Sequence, residues 1–208
     1  MNSKVIVLVA GCAAAAAGTA LSPLHAHAQR QFGEQPPNTW VSVYGQMYTS
    51  VAGLNDPGSD ARWAFDDAAF GFGAALQRQV GQSLRLGVDA SLARPKFEIQ
   101  ELETRAVRES GTASIATAMA TGRYGYSGGG DIGFYLSGGI GTIAYRLADL
   151  GWNADFALQA GTGLEYRFGS ATAIALEWGR TWGYHEKEGL GGGNQTHSAL
   201  RLALRFGL

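Results

Sequence analysis

Phe156-Ala157-Leu158-Gln159-Ala160-Gly161-Thr162-Gly163-Leu164-Glu165-Tyr166-Arg167-Phe168 decides the fold. Phe156, Leu158, Ala160, Thr162, Leu164, Tyr166 and Phe168 share one parity, and Ala157, Gln159, Gly161, Gly163, Glu165 and Arg167 share the other. Successive side chains of a strand point to opposite faces, so this is one strand with an apolar face and a face of small, polar and charged groups. Ordinary strands run to about 5–6 residues, whereas one that crosses a bilayer at a tilt needs about 9–11.

The same period recurs on both sides. Leu200, Leu202, Leu204, Phe206 and Leu208 alternate with Arg201, Ala203, Arg205 and Gly207. Leu84, Leu86, Val88, Ala90 and Leu92 alternate with Arg85, Gly87, Asp89, Ser91 and Ala93. Weaker copies run through Phe70–Gln77, Ile132–Gly141 and Ala173–Trp182, and residues 40–51 and 112–125 complete the set without settled faces. The pattern predicts eight strands, near 40–51, 63–78, 83–94, 112–125, 131–145, 155–168, 172–184 and 196–208. Short turns fall at 79–82, 127–130 and 169–170, and longer polar links at 52–62, 95–111, 146–154 and 185–195. Short turns at one end and long loops at the other are the asymmetry of a transmembrane barrel, and an even strand count returns both ends to the same side. The expected fold is all-β: an eight-stranded antiparallel up-and-down transmembrane β-barrel, preceded by a cleaved signal peptide.

A soluble β-sandwich also alternates. Against it stand the strand lengths, the mixture of glycine, alanine and charge on the polar face, and the aromatic residues near strand ends. Tyr166, Phe168 and Phe206 lie toward the turns, and Trp152, Phe156 and Trp182 toward the loops. Two interfacial girdles have that distribution.

The first residues read as a targeting segment. Lys4 is the only charge before Arg30, an apolar run extends from Val5 to Ala17, and Ala26-His27-Ala28 supplies a small-x-small exit before Gln29. The expected organisation is a signal peptide over 1–28, a short periplasmic segment over 29–39 and the barrel over 40–208. The strongly apolar part is too short to span a bilayer as a helix. A competing reading takes Val9-Ala10-Gly11-Cys12 as a lipoprotein box acylated at Cys12, but Val5–Gly11 is then a minimal apolar core and the alanines after Cys12 have no role. Cleavage before Gln29 removes the only cysteine, and with it any disulfide, thiolate metal site or cysteine nucleophile. It leaves 15 basic against 17 acidic residues, a balance that gives no reason to expect nucleic acid as a partner. With 31 glycines, 5 Trp, 8 Tyr, 9 Phe and only 16% charged residues, the composition suits strands better than helical spans.

Gln159–Phe168 resembles the penultimate, downward strand of the OmpA/OmpX-like small outer-membrane barrels, and Leu200–Leu208 resembles their C-terminal strand. That strand usually ends in Phe, whereas here it ends Phe206-Gly207-Leu208. The resemblance implies a location in the cell outer membrane, recognition of the last strand by the barrel-assembly machinery, and contact with outer-membrane lipids and lipopolysaccharide. Members of this size are described as surface antigens, adhesion or serum-resistance proteins, or barrels of unknown role. A chain that stops at its last strand is expected to carry no periplasmic peptidoglycan-binding domain.

Arg85, Asp89, Glu165, Arg167, Glu177, Arg201 and Arg205 fall on the inward parity. Counted outward from the 185–195 link, Glu177 comes opposite Ala203, between Arg201 and Arg205, which predicts a ladder of ion pairs. An eight-stranded interior is just wide enough for side chains to fill, so the ladder is expected to plug the lumen rather than line a selective path. His185, Glu186, Glu188 and His197 invite a metal or catalytic reading, but their spacing matches no zinc motif, and a solvated loop is expected there. A lipid A hydrolase needs Ser, His and a carboxylate converging near the leaflet boundary; His197 and Ser198 are adjacent and point apart on a strand. No catalytic residue, metal ligand or cofactor is assigned. The functional expectation is a non-enzymatic outer-membrane barrel whose surface-exposed loops serve interaction or adhesion and envelope integrity, with a narrow porin-like channel or a transporter of small hydrophobic molecules as the alternative and a lipid A-modifying enzyme ranked behind both. The charged link 95–111 is the candidate contact for a host or surface ligand, with Phe97 and Ile99 hinting that the flanking strands continue above the membrane.

Overall fold

The computed structural model describes residues 37–52, 61–65, 69–101, 103–127, 131–147, 150–168, 170–184 and 194–208. The expected signal peptide and Cys12 lie outside them, as does the 29–39 segment except for its last three residues. The strands are β1 Thr39–Ala52, β2 Ala61–Phe65, β3 Ala69–Gln79, β4 Leu84–Ala93, β5 Lys96–Glu101, β6 Val107–Ser127, β7 Ile132–Leu147, β8 Leu150–Arg167, β9 Thr172–Tyr184 and β10 Asn194–Gly207. Eight of them close an antiparallel ring in the order β1-β3-β4-β6-β7-β8-β9-β10, with β10 back on β1. β2 and β5 stand outside the ring and form a small antiparallel sheet with the upper part of β6.

The register fixes the tilt. Trp40 pairs with Gln77, then Gly87, Thr121, Gly139, Gln159, Thr181, His197 and finally Val51. The walk returns to β1 eleven positions above its start, one of them taken up by the bulge between Tyr48 and Ser50. A shear of ten over eight strands tilts them by about 40° to the axis, the usual value for such barrels. A single closed ring excludes the two-sheet sandwich.

Parity sorts the side chains as the sequence predicts. Phe70, Phe72 and Leu202 stand 72%, 67% and 57% exposed on the outer wall, alongside Leu136, Ile140, Leu164 and Leu204. A continuous apolar girdle of that extent demands lipid around it. Tyr166, Phe168 and Phe206 are exposed at the turn end, with Tyr166 and Phe168 edge-to-face at 4.8 Å. Phe156 meets Tyr184 at 6.0 Å toward the opposite end, where Trp152 and Trp182 are half-buried. The unsettled faces of the first and fourth predicted strands are now fixed: Ser42, Tyr44, Gln46 and Tyr48 point inward, as do Ile115, Thr117, Met119 and Arg123.

Two of the expected loops are mostly strand. Of the 95–111 link, Lys96–Glu101 is β5 and β6 already begins at Val107, with Glu101 N donating to Ala106 O and Arg105 N to Glu101 O, each at 2.9 Å. Of the 146–154 link, Leu147 pairs directly with Leu150. Phe97 of β5 is buried, but residues 107–110 of β6 are all exposed, so the apolar parity that marks a spanning strand fades there while the hydrogen-bonded ladder continues.

Candidate functional site: the lumen and the sheet above it

Beside an apolar cluster of Ile115, Met119, Ile143 and Tyr145, the barrel interior holds a polar network built from opposite walls. At the end that carries the short turns, Arg85 of β4 reaches across to Glu165 of β8 with a two-pronged grip, 2.9 Å to Oε2 and 3.2 Å to Oε1. Arg167 adds an Nε bond to Glu165 at 2.9 Å, and Arg205 Nη1 pairs with the same carboxylate. Arg205 Nη2 also donates to the Tyr135 hydroxyl at 2.8 Å, which in turn donates to Glu177 at 3.0 Å. Arg123 closes on Glu177 at 3.0 Å, and Arg201 at 3.5 Å. Arg201 continues to Asp89 at 3.9 Å and Gln46 at 3.1 Å, and Tyr44 donates to Asp89 at 2.7 Å. With its amide oxygen turned toward Arg201, Gln159 accepts from both terminal nitrogens at 2.9 and 3.1 Å. Tyr44 lies under Arg201, and Tyr135 under both Arg123 and Arg205, with ring distances of 4.8–5.2 Å. Such cation–π contacts add to the ion pairs where water is excluded.

Six of the seven predicted inward charges are buried in this network, and Arg167 sits at its rim. The ladder exists, but its register differs from the expected one: Glu177 pairs with Arg201 and not Ala203, and Arg205 binds Glu165. A slip of two residues keeps every side chain on its face, so parity alone could not detect it. Arg123 escaped the sequence reading because Ala116, Ala118 and Ala120 give its strand no greasy side to contrast with. A charge inside a spanning segment must face inward, and that signal was available. His197 lies on the expected last strand, within β10, but is not solvated: it is 5% exposed, its ring 5.0 Å from that of Tyr48. His185, Glu186 and Glu188 fall outside the described residues.

Two glycines make room for the two tyrosines. Gly73 pairs with Tyr44 and Gly163 with Tyr135, and a Cβ at either position would overlap the phenol ring. A bare backbone lets each ring lie flat across the next strand and delivers its hydroxyl to a carboxylate. Gly163→Ala is therefore expected to displace Tyr135 and cost about 1–3 kcal/mol of stability. Gly138→Ala, where the nearest atom would be 3.8 Å away, should cost little. Urea unfolding in micelles measures both, and equal midpoints would contradict the packing.

At the other end, β2, β5 and the upper part of β6 raise a small sheet in which Phe97 is buried. Residues 103–110 are all exposed. Its tip is held by Thr104 Oγ1 donating to Glu101 at 2.6 Å and by Arg108 paired with Glu101. These bonds, the Thr104 hydroxyl first, hold the Glu101 carboxyl below its ordinary range. Arg105 adopts a left-handed conformation, φ 55°, to turn the chain.

A closed eight-stranded ring, an apolar outer wall and an interior filled by side chains define a small transmembrane β-barrel. The chain is similar to the crystal structure of Neisserial surface protein A, with a TM-score of 0.54 and 12% identity over 84% of this chain and all of that one. It is also similar to the outer membrane protein OprG from Pseudomonas aeruginosa, with a TM-score of 0.52 and 9% identity over 84% of this chain and 97% of that one. The sequence matches no protein-family model and no curated protein. At these identities the likeness is one of fold.

Proposed function

We propose that the protein is a non-enzymatic surface barrel whose lumen is a structural plug and whose working surface is the sheet formed by β2, β5 and the upper part of β6. The observation that carries this reading is the contrast between the two halves. Inside the membrane, Arg85–Glu165 and Arg123–Glu177 span the lumen and occupy it. Above the membrane, a hydrogen-bonded hairpin presents Lys96, Glu98, Glu101, Arg105, Arg108 and Glu109 on a framework stiff enough to recognise a partner. His197 is enclosed by the barrel and so is not placed for a hydrolase site at the lipid face. The same reading has residues 1–28 removed during export, β10 recognised by the barrel-assembly machinery and the outer wall in contact with lipopolysaccharide.

The test is transfer to a non-adherent Gram-negative host, with a heat-shifted band confirming the folded barrel. Binding to epithelial cells and matrix proteins is expected to rise, and to fall back when residues 96–111 are replaced by a two-residue turn. Folded protein without any gain sinks the adhesion reading. Conductance above background in planar bilayers would instead favour the narrow channel, and an altered lipid A mass would favour an enzyme.

A further inference from the structure

We propose that the end of the lumen carrying the short turns, the periplasmic mouth, is a binding site for a dianionic phosphate group. A cavity of about 300 Å³ opens there, lined by Trp40, Arg85, Tyr135, Glu165, Arg167 and Arg205 among others. Deeper in the barrel the charges balance: Arg123 is matched by Glu177, and Arg201 by Asp89. Among the described residues the mouth is unbalanced, because Arg85, Arg167 and Arg205 share the one carboxylate of Glu165. Two positive charges are left over in a space walled by protein, where a counter-charge is worth more than in bulk water.

The donors are unfilled as well. Arg205 is 1% exposed, and its Nε has no hydrogen-bond partner among the described residues. An orphaned donor so enclosed carries a desolvation cost, which a small shift of the Arg205 head toward an acceptor in the cavity it lines would remove. Arg167, with 36% of its side chain exposed, contacts Glu165 through Nε, which leaves its terminal nitrogens free to turn into the cavity. Guanidinium forks match tetrahedral oxyanions with paired bonds, and a doubly charged phosphate or phosphomonoester meets both the excess charge and the donor geometry. The cavity volume leaves room for the group with several bridging waters.

The experiment uses the full barrel folded in an uncharged, phosphate-free maltoside detergent. Inorganic phosphate is titrated at constant ionic strength while the arginine Nε–Hε signals are followed by NMR. Saturable binding with Kd near or below about 1 mM is expected, with the Arg205 and Arg167 signals moving together. Arg167→Gln should weaken it by about tenfold or more, the loss of one charge-assisted bond, while Arg180→Gln on the outer wall should leave it unchanged. Repeating the titration in nanodiscs containing phosphatidic acid separates the sources. Competition by the lipid assigns the site to a lipid headgroup, and undiminished binding assigns it to a soluble phosphate. A linear, unsaturated response, or the same affinity in Arg167→Gln, overturns the proposal. The Nε–Hε signals of the unmodified protein decide the matter even if the variant fails to fold.

Discussion

Glu177→Ala is expected to cost about 3–5 kcal/mol of folding stability, enough to leave much of the protein unfolded in mild detergent. Glu177 is 3% exposed and accepts from Tyr135 at 3.0 Å while pairing with Arg123 at 3.0 Å and Arg201 at 3.5 Å. Truncation leaves two guanidiniums facing each other across a narrow lumen without their shared counter-charge. Most of the penalty is that uncompensated charge, not the net worth of the pair. Two further variants separate the terms. Glu177→Gln keeps the shape and one acceptor, so it should lose less. Arg123→Leu in the Glu177→Ala background removes one stranded cation and should recover part of the loss, a coupling that a double-mutant cycle reads directly. Urea midpoints and the heat-shifted band provide the measurements. An unchanged midpoint in Glu177→Ala would show that the ladder is idle and that water screens the lumen throughout.

The barrel was legible in the sequence because a membrane imposes parity. Leu200 to Leu208 cannot place Arg201 and Arg205 against lipid, so their faces are forced, and the same holds for Arg85 and Asp89. What parity leaves undetermined is displacement along the strand in steps of two. Glu177 was therefore assigned to the right face and the wrong neighbour: only the closed ring, with its ten-residue shear, fixes it opposite Arg201. The segments above the membrane were the least legible. Lys96–Gln100 pairs with Val107–Thr112 across one bulge; Phe97 and Ile99 hint at the first of these strands, but residues 107–110 are exposed throughout and show no contrast to read. The mouth was invisible for another reason. Arg85, Arg167 and Arg205 are separated by most of the chain, and their surplus of charge over Glu165 emerges only when β4, β8 and β10 are brought round one opening.

On the outer face, adjacent residues should be destabilised by opposite changes of charge. Leu202→Arg is expected to cost about 2–4 kcal/mol in a lipid bilayer, the price of a cation near the midplane of a barrel wall. Leu202 is 57% exposed on the lipid-facing wall, pairing with Leu176 and Gly45, and nothing polar stands opposite to receive a charge. Its neighbour Arg201 points inward, 6% exposed, into Asp89, Gln46 and Glu177, so Arg201→Leu destabilises by removing a charge where Leu202→Arg destabilises by adding one. The wall already holds one arginine that shows what tolerance requires. Arg180 faces outward four residues farther up the hairpin, about 10 Å along the axis at the barrel's tilt. There its guanidinium reaches Thr196 at 3.5 Å and lies 5.8 Å from the Trp182 ring, drawn toward the interface. From position 202 an arginine would be too deep to do the same. Reversible unfolding from liposomes by guanidinium should show the full penalty for Leu202→Arg. In a thin, deformable detergent micelle, which lets water reach the wall, the penalty should shrink by more than half. Equal stability of Leu202→Arg and the parent in liposomes would mean that this wall does not face lipid.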